Sequence, residues 1–66
     1  VIDINSAPVE DLQRLPGIGE KRAQAIVAWR EEHGPFQSVD ELVQVSGIGE
    51  KLLAGLRDYA AAGPVG

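Results

Sequence analysis

Lys21, Arg22 and Lys51 are the charged residues of this chain whose placement suggests chemistry, because each follows a Gly-Ile-Gly bend. The run Gly17, Ile18, Gly19, Glu20, Lys21 recurs letter for letter as Gly47, Ile48, Gly49, Glu50, Lys51. A bend that opens into a helix leaves the N–H groups of the first turn without intrahelical partners, at the positive end of the helix dipole. Such a place attracts an anion. A cation in a first turn is unfavourable for the helix itself, which prefers Asp or Glu there, so a ligand should want it. Phosphate fits: it would accept from backbone amides and from an ammonium or guanidinium together. Glu20 and Glu50 suit the dipole but repel phosphate unless they point aside. The bend also has a mechanical reading, in which Ile18 and Ile48 plug the core and the glycines allow a backbone path that a Cβ would block.

The elements that must position these bends are duplicated at an offset of thirty residues. Val9 matches Val39, Leu12 matches Leu42, Leu15 is replaced by Val45, and Glu10-Asp11 by Asp40-Glu41. Ser38, Val39, Asp40 and Glu41 have the form of a capping box, so a short helix is expected from Ser38. Pro8 holds the equivalent place in the first copy, with Asn5 or Ser6 as its cap. Both short helices should stop at Gly17 and Gly47, whose type suits a left-handed backbone. A longer helix then follows Gly19, with Ala23, Ile26, Val27 and Arg30 on one face, and ends at Gly34 and Pro35. The fourth helix is expected from about Glu50 toward Ala62, with Leu52, Leu53, Leu56 and Tyr59 as its apolar residues and the final Gly-Pro-Val-Gly closing it. Ala25 and Gly55 occupy the same place in the two copies and predict a close crossing of two helix axes, since glycine inside a helix costs about 1 kcal/mol relative to alanine.

These elements predict an all-α fold in which two pseudo-symmetric hairpins, about 6–33 and 38–62, form one domain over residues 1–66. Leu12, Leu15, Ile18, Ile26, Leu42, Val45, Ile48 and Leu56 are its expected core, with Trp29 and Phe36 sealing the edges. Ile2 and Ile4 alternate with polar residues and predict a short extended arm across the bundle.

Sixty-six residues make one domain at most, and at this size folding buries only about 60% of the unfolded chain's surface. With 44% apolar and 24% charged residues the composition is globular. Cysteine is absent, which excludes a disulfide framework and a thiolate metal site. No apolar run approaches the roughly 20 residues that span a bilayer, so no membrane contact is expected of this segment, and no cofactor or metal either. The chain opens on Val-Ile-Asp-Ile-Asn with no methionine, as expected of a piece of something longer. A net charge of −4 and a pI near 4.7 oppose bulk electrostatic coating of DNA.

Leu12, the run Leu15 to Gly19, Ala23 and Ile26 together resemble the helix-hairpin-helix motif. The second copy departs from it, with Ser46 for proline and Leu53 for alanine. More narrowly, the chain from Asp3 to Leu56 is similar to the double hairpin of ComEA-type competence proteins, through Ile4-Asn5 before the first helix, the Trp29 to Phe36 run and the second Ser46 to Lys51 run. The resemblance implies a domain that binds double-stranded DNA without sequence preference during bacterial DNA uptake, outside the cytoplasmic membrane, in contact with the uptake machinery. It implies that Gly17, Ile18, Gly19, Gly47, Ile48 and Gly49 offer backbone amides to phosphates, with Lys21, Arg22 and Lys51 as charged helpers.

The acidity is compatible with such a site because Glu31, Glu32, Asp40 and Glu41 lie near helix ends remote from the bends, whereas Arg14, Lys21, Arg22 and Lys51 lie beside them. At a Debye length of about 8 Å the distant carboxylates are largely screened. Three helper cations predict a salt slope no steeper than about −3. Base edges go unread.

Other residues have plainer roles. His33 is expected as a dipole partner in a last helical turn, and Trp29 as a packing residue. Helix-hairpin-helix glycosylases carry a catalytic aspartate about where Asp40 stands, but Asp40 belongs to the capping box and so small a chain has no second lobe for a flipped base. No enzymatic activity is expected. The rival reading is a protein-interaction or structural adaptor, since similar double hairpins occur in a small extrinsic subunit of photosystem II, and the low pI favours it.

Overall fold

Pro8 starts the first helix, its φ of −75° already near the helical value and its carbonyl accepting from the amides of Asp11 and Leu12. The computed structural model describes residues 1–63, so the last three residues of the expected Gly-Pro-Val-Gly terminator lie outside the described residues. Helix α1 spans Val9–Leu12, and Glu10 and Asp11 in its first turn complement its dipole. Neither Asn5 nor Ser6 caps it, a correction whose reason lies in Asn5's other engagements below.

Helix α2 spans Glu20–His33, as the 3.6-residue pattern predicts, and buries Ala23 and Ile26. Gly34 stops it with φ +90° and ψ −179°, an extended mirror-image conformation that a side chain would oppose, and Pro35 follows. The second short helix is a 3₁₀ helix over Val39–Gln44. Its expected capping box is not formed: the Ser38 hydroxyl makes no cap bond, and the Glu41 carboxylate accepts from the Gln37 amide, one residue too early. A tighter helix shifts the third residue's side chain relative to the start, which accounts for the displaced partner.

Helix α3 spans Glu50–Leu56 and not Glu50 to Ala62. A 3₁₀ turn over Arg57–Tyr59 follows it, and then Ala60–Ala61 form strand β2. Strand β1, Ile2–Asp3, pairs with β2 in parallel, Ile2 opposite Ala60 and Asp3 opposite Ala61. The fold is therefore mostly helical with a small two-stranded sheet, which corrects the all-α expectation. Alanine favours helix in isolation, but here pairing with the N-terminal arm decides the backbone.

All eight residues expected in the core are buried, and Ile4, Phe36, Ala23 and Leu53 join them. Phe36 is fully buried and is not an edge residue; Trp29 lies on it, with ring centroids 4.4 Å apart and planes 11° off parallel. Gly55 corrects another expectation. It is exposed, and a Cβ there would meet nothing within 4 Å, so no close helix crossing requires it.

Three polar side chains tie the arm to the rest. Asn5 donates from Nδ2 to the Phe36 carbonyl (3.0 Å) and accepts at Oδ1 from the Phe36 amide (2.7 Å). Asp3 accepts at Oδ1 from the amides of Asn5 (2.9 Å) and Gly63 (3.0 Å). Arg30 donates to the Ile4 carbonyl at 2.9 Å. The arm, the linker between hairpins and the C-terminal strand thus meet at one seam.

Candidate nucleic-acid interface

Gly17 and Gly47 set the two bends, with φ of +80° and +90°, a left-handed backbone that glycine adopts without the cost a Cβ would impose. Two residues on, Gly19 and Gly49 begin the second helices with nearly equal dihedrals, φ −91° and −99°, ψ −172° and 177°. Neither helix start receives a side-chain cap. Among the described residues, the amides of Glu20, Lys21 and Arg22 in α2 and of Glu50, Lys51 and Leu52 in α3 have no backbone partner, as expected of a first helical turn.

Gly17, Gly19, Lys21, Arg22, Gly47, Gly49 and Lys51 are all exposed. Ile18 and Ile48 are not, being 4% and 3% exposed, and they fill the core beneath each bend. Their amides do not face outward either, because Ile18 N–H donates to the Leu15 carbonyl (3.0 Å) and Ile48 N–H to the Val45 carbonyl (3.1 Å). That corrects the expectation for these two residues. Each isoleucine shapes its bend, and the glycines and the first helical turn carry the donors that remain open.

The two bends are neighbours. A Cβ on Gly17 would collide with the Leu52 side chain, in the first turn of α3. Reciprocally, a Cβ on Gly47 would lie 3.7 Å from Arg22 Nε, in the first turn of α2. Arg22 and Leu52 are equivalent positions of the repeat. Each bend therefore rests against the start of the other hairpin's second helix, and the open amides of both hairpins share one end of the molecule. Arg22 does more than pack there: its Nε donates to the Gly47 carbonyl at 2.9 Å. Sequence reasoning placed Arg22 at the site and missed this bond, for which Leu52 at the equivalent position gave no signal.

Lys21 and Lys51 are exposed beside their bends. Asp40 forms a surface ion pair with Arg57, 2.6 Å apart, with side chains 60% and 53% exposed. His33 sits in the last turn of α2 with Nδ1 at 3.2 Å from the Trp29 carbonyl and its ring 4.6 Å from that of Trp29. No helix of the described residues is long and apolar enough to cross a membrane.

The family model of the helix-hairpin-helix motif matches residues 1–60. ComE operon protein 1 of Bacillus subtilis is 49% identical over 51 residues, which are 77% of this chain and 25% of that protein. An uncharacterized protein of Haemophilus influenzae is 45% identical over 58 residues, 86% of this chain and 52% of that one. Kinesin-like protein KIF22 of Rattus norvegicus is 52% identical over 48 residues, 73% of this chain and 7% of that one. This chain thus spans from 7% to 52% of the lengths of these relatives.

Proposed function

The chain belongs to the helix-hairpin-helix family, and from that premise we propose that it binds double-stranded DNA without sequence preference, as a non-enzymatic module. The observation that carries this reading is the pair of exposed, uncapped glycine bends held side by side, each with a lysine in the following turn. Gly17, Gly19, Gly47 and Gly49, with the first-turn amides beyond them, would donate to phosphate oxygens; Lys21 and Lys51 would add charge, and Arg22 lies between the two bends. Ile18 and Ile48 serve the site from below by fixing the bends.

The reciprocal contacts of Gly17 with Leu52 and of Gly47 with Arg22 support two hairpins related by a pseudo-two-fold axis. A duplex offers two phosphate rails, and a pair of adjacent bends is suited to hold one or both. Hairpin two has a seven-residue second helix against fourteen in hairpin one, leucine where hairpin one has Arg22 after its lysine, and serine in place of proline before its bend. Hairpin one is the stronger half of the site. The likeness to ComE operon protein 1 supports a place in bacterial DNA uptake outside the cytoplasmic membrane, beside the uptake machinery.

An NMR titration with a short duplex of arbitrary sequence at low salt tests the proposal. Selective amide shifts at Gly17 to Arg22 and at Gly47 to Lys51 are the expected result. An unchanged spectrum at millimolar duplex would instead favour a protein-interaction adaptor, the reading that the net charge of −4 supports.

A further inference from the structure

Arg22 is charged and stands among the open amides, so its obvious role is to neutralise a phosphate. Its geometry argues for a different one. The Nε–H is spent on the Gly47 carbonyl at 2.9 Å, a bond from the first turn of one hairpin to the bend of the other, across 25 residues of sequence. The Arg22 Cγ would lie 3.8 Å from a Cβ at Gly47, so the stem of the side chain covers the bend while the guanidinium ties it. At the equivalent position Leu52 covers Gly17 by packing alone, so that a Cβ there would have to displace the end of the Leu52 side chain. The two bends are thus fastened to the opposite hairpins by different means, one apolar and one polar. Ile48 seats this bend locally, its side chain in the core and its amide on the Val45 carbonyl, and the charge-assisted bond from Arg22 adds a tie from the bend to the opposite hairpin.

We infer that Arg22 is a positioning residue: it holds the Gly47 to Gly49 bend in register with the Gly17 to Gly19 bend, and its contribution to DNA binding comes from that alignment and not from its net charge. The inference rests on the DNA-binding reading for its functional half and on the Arg22–Gly47 bond for its structural half. Lysine keeps the charge and loses the planar Nε donor; leucine keeps the packing seen at Leu52 and loses both.

The test is duplex affinity of Arg22→Lys and Arg22→Leu as a function of salt, together with amide spectra of the free proteins. Both variants should bind roughly three- to tenfold more weakly than the native chain, with the slope of log affinity against log salt unchanged in Arg22→Lys. Amides from Gly47 to Lys51 should shift in both variants before any DNA is added, while core amides such as those of Leu12 and Ile26 stay in place. Full affinity in Arg22→Lys, with a slope shallower by about one in Arg22→Leu, would make Arg22 a phosphate partner and overturn the inference. Unmoved Gly47 to Lys51 amides in the free variants would overturn it equally. A native chain that binds no duplex defeats the DNA reading alone, since those free-protein shifts still report on the strut.

Discussion

Asn5 and Phe36 exchange two hydrogen bonds across thirty-one residues of chain, the amide side chain of one reading both backbone groups of the other. The bond lengths, 3.0 and 2.7 Å, are those of a strand pair made with a side chain in place of a second backbone. Asn5→Ala removes both partners and should destabilise the protein by about 1–3 kcal/mol, because the part-buried Phe36 groups are left unpaired. Asn5→Asp should be no better than alanine, since a carboxylate cannot donate to the Phe36 carbonyl and stands near the Asp3 carboxylate. Chemical denaturation midpoints decide this, and native-like stability in Asn5→Asp would show that the exchange contributes little.

Asp3 gives stability a pH dependence at the acid end. The amide of Asn5 lowers its pKa below the ordinary 3.8, aided by the Gly63 amide, the Ser6 hydroxyl and the Arg30 charge, and desolvation opposes them only in part. The folded state therefore binds this proton more weakly than the unfolded chain. Its stabilising contribution is complete well above pH 3.8 and is lost as pH falls through that value toward the lower folded one. Asp3→Asn should flatten the dependence of stability on pH below about 4 relative to the native chain. Superimposable acid limbs for the two proteins would rule this out.

Gly17→Ala and Gly47→Ala separate backbone strain from collision. Both residues have positive φ, so each alanine costs about 1–2 kcal/mol from backbone alone. Only the alanine at 17 also meets a side chain, that of Leu52, and overpacking adds about 1–3 kcal/mol. Thermal unfolding should rank Gly17→Ala below Gly47→Ala. Equal losses would mean that Leu52 moves aside freely.

Gly55→Ala should stabilise the chain by about 0.5–1 kcal/mol, because position 55 is exposed within α3 and its surroundings leave room for a methyl group. Calorimetry is sufficient to see a higher melting temperature. A lower one would restore the close helix approach that the repeat alone suggests.

Lys21→Glu combined with Lys51→Glu should leave the fold intact, since both side chains are exposed, and reduce duplex affinity at low salt together with its salt dependence. The native slope should be no steeper than about −3. Fluorescence anisotropy with a labelled duplex measures both quantities, and an affinity insensitive to the double substitution would move the binding surface away from the bends.

The glycine bends and the core were legible because their signals are local and duplicated. Leu12 and Leu42, or Ile18 and Ile48, occupy equivalent places at a fixed offset, and burial follows from the helical period. What was not legible depended on partners far along the chain. Ala60 and Ala61 have the composition of a helix, and nothing near them announces that Ile2 and Asp3 will pair with them. Asn5 stands where a helix cap belongs by sequence, and the linker backbone at Phe36 claims it instead. Ser38 and Glu41 spell a capping box whose geometry requires an α-helix, and a 3₁₀ helix forms. At the site, the family resemblance implied six outward amides, those of the two Gly-Ile-Gly bends. The turn closes on two of them, those of Ile18 and Ile48, because a residue that plugs the core also donates inward.

The parallel pairing of Ile2–Asp3 with Ala60–Ala61 has a mechanical consequence. Tension drawn backward from Val1 and forward from Gly63 runs along the two strands in opposite senses, so it slides one past the other lengthwise. The ladder bonds, the Asp3 clasp on Gly63 and the Ile4 amide on Ala61 are then loaded at once and must break together.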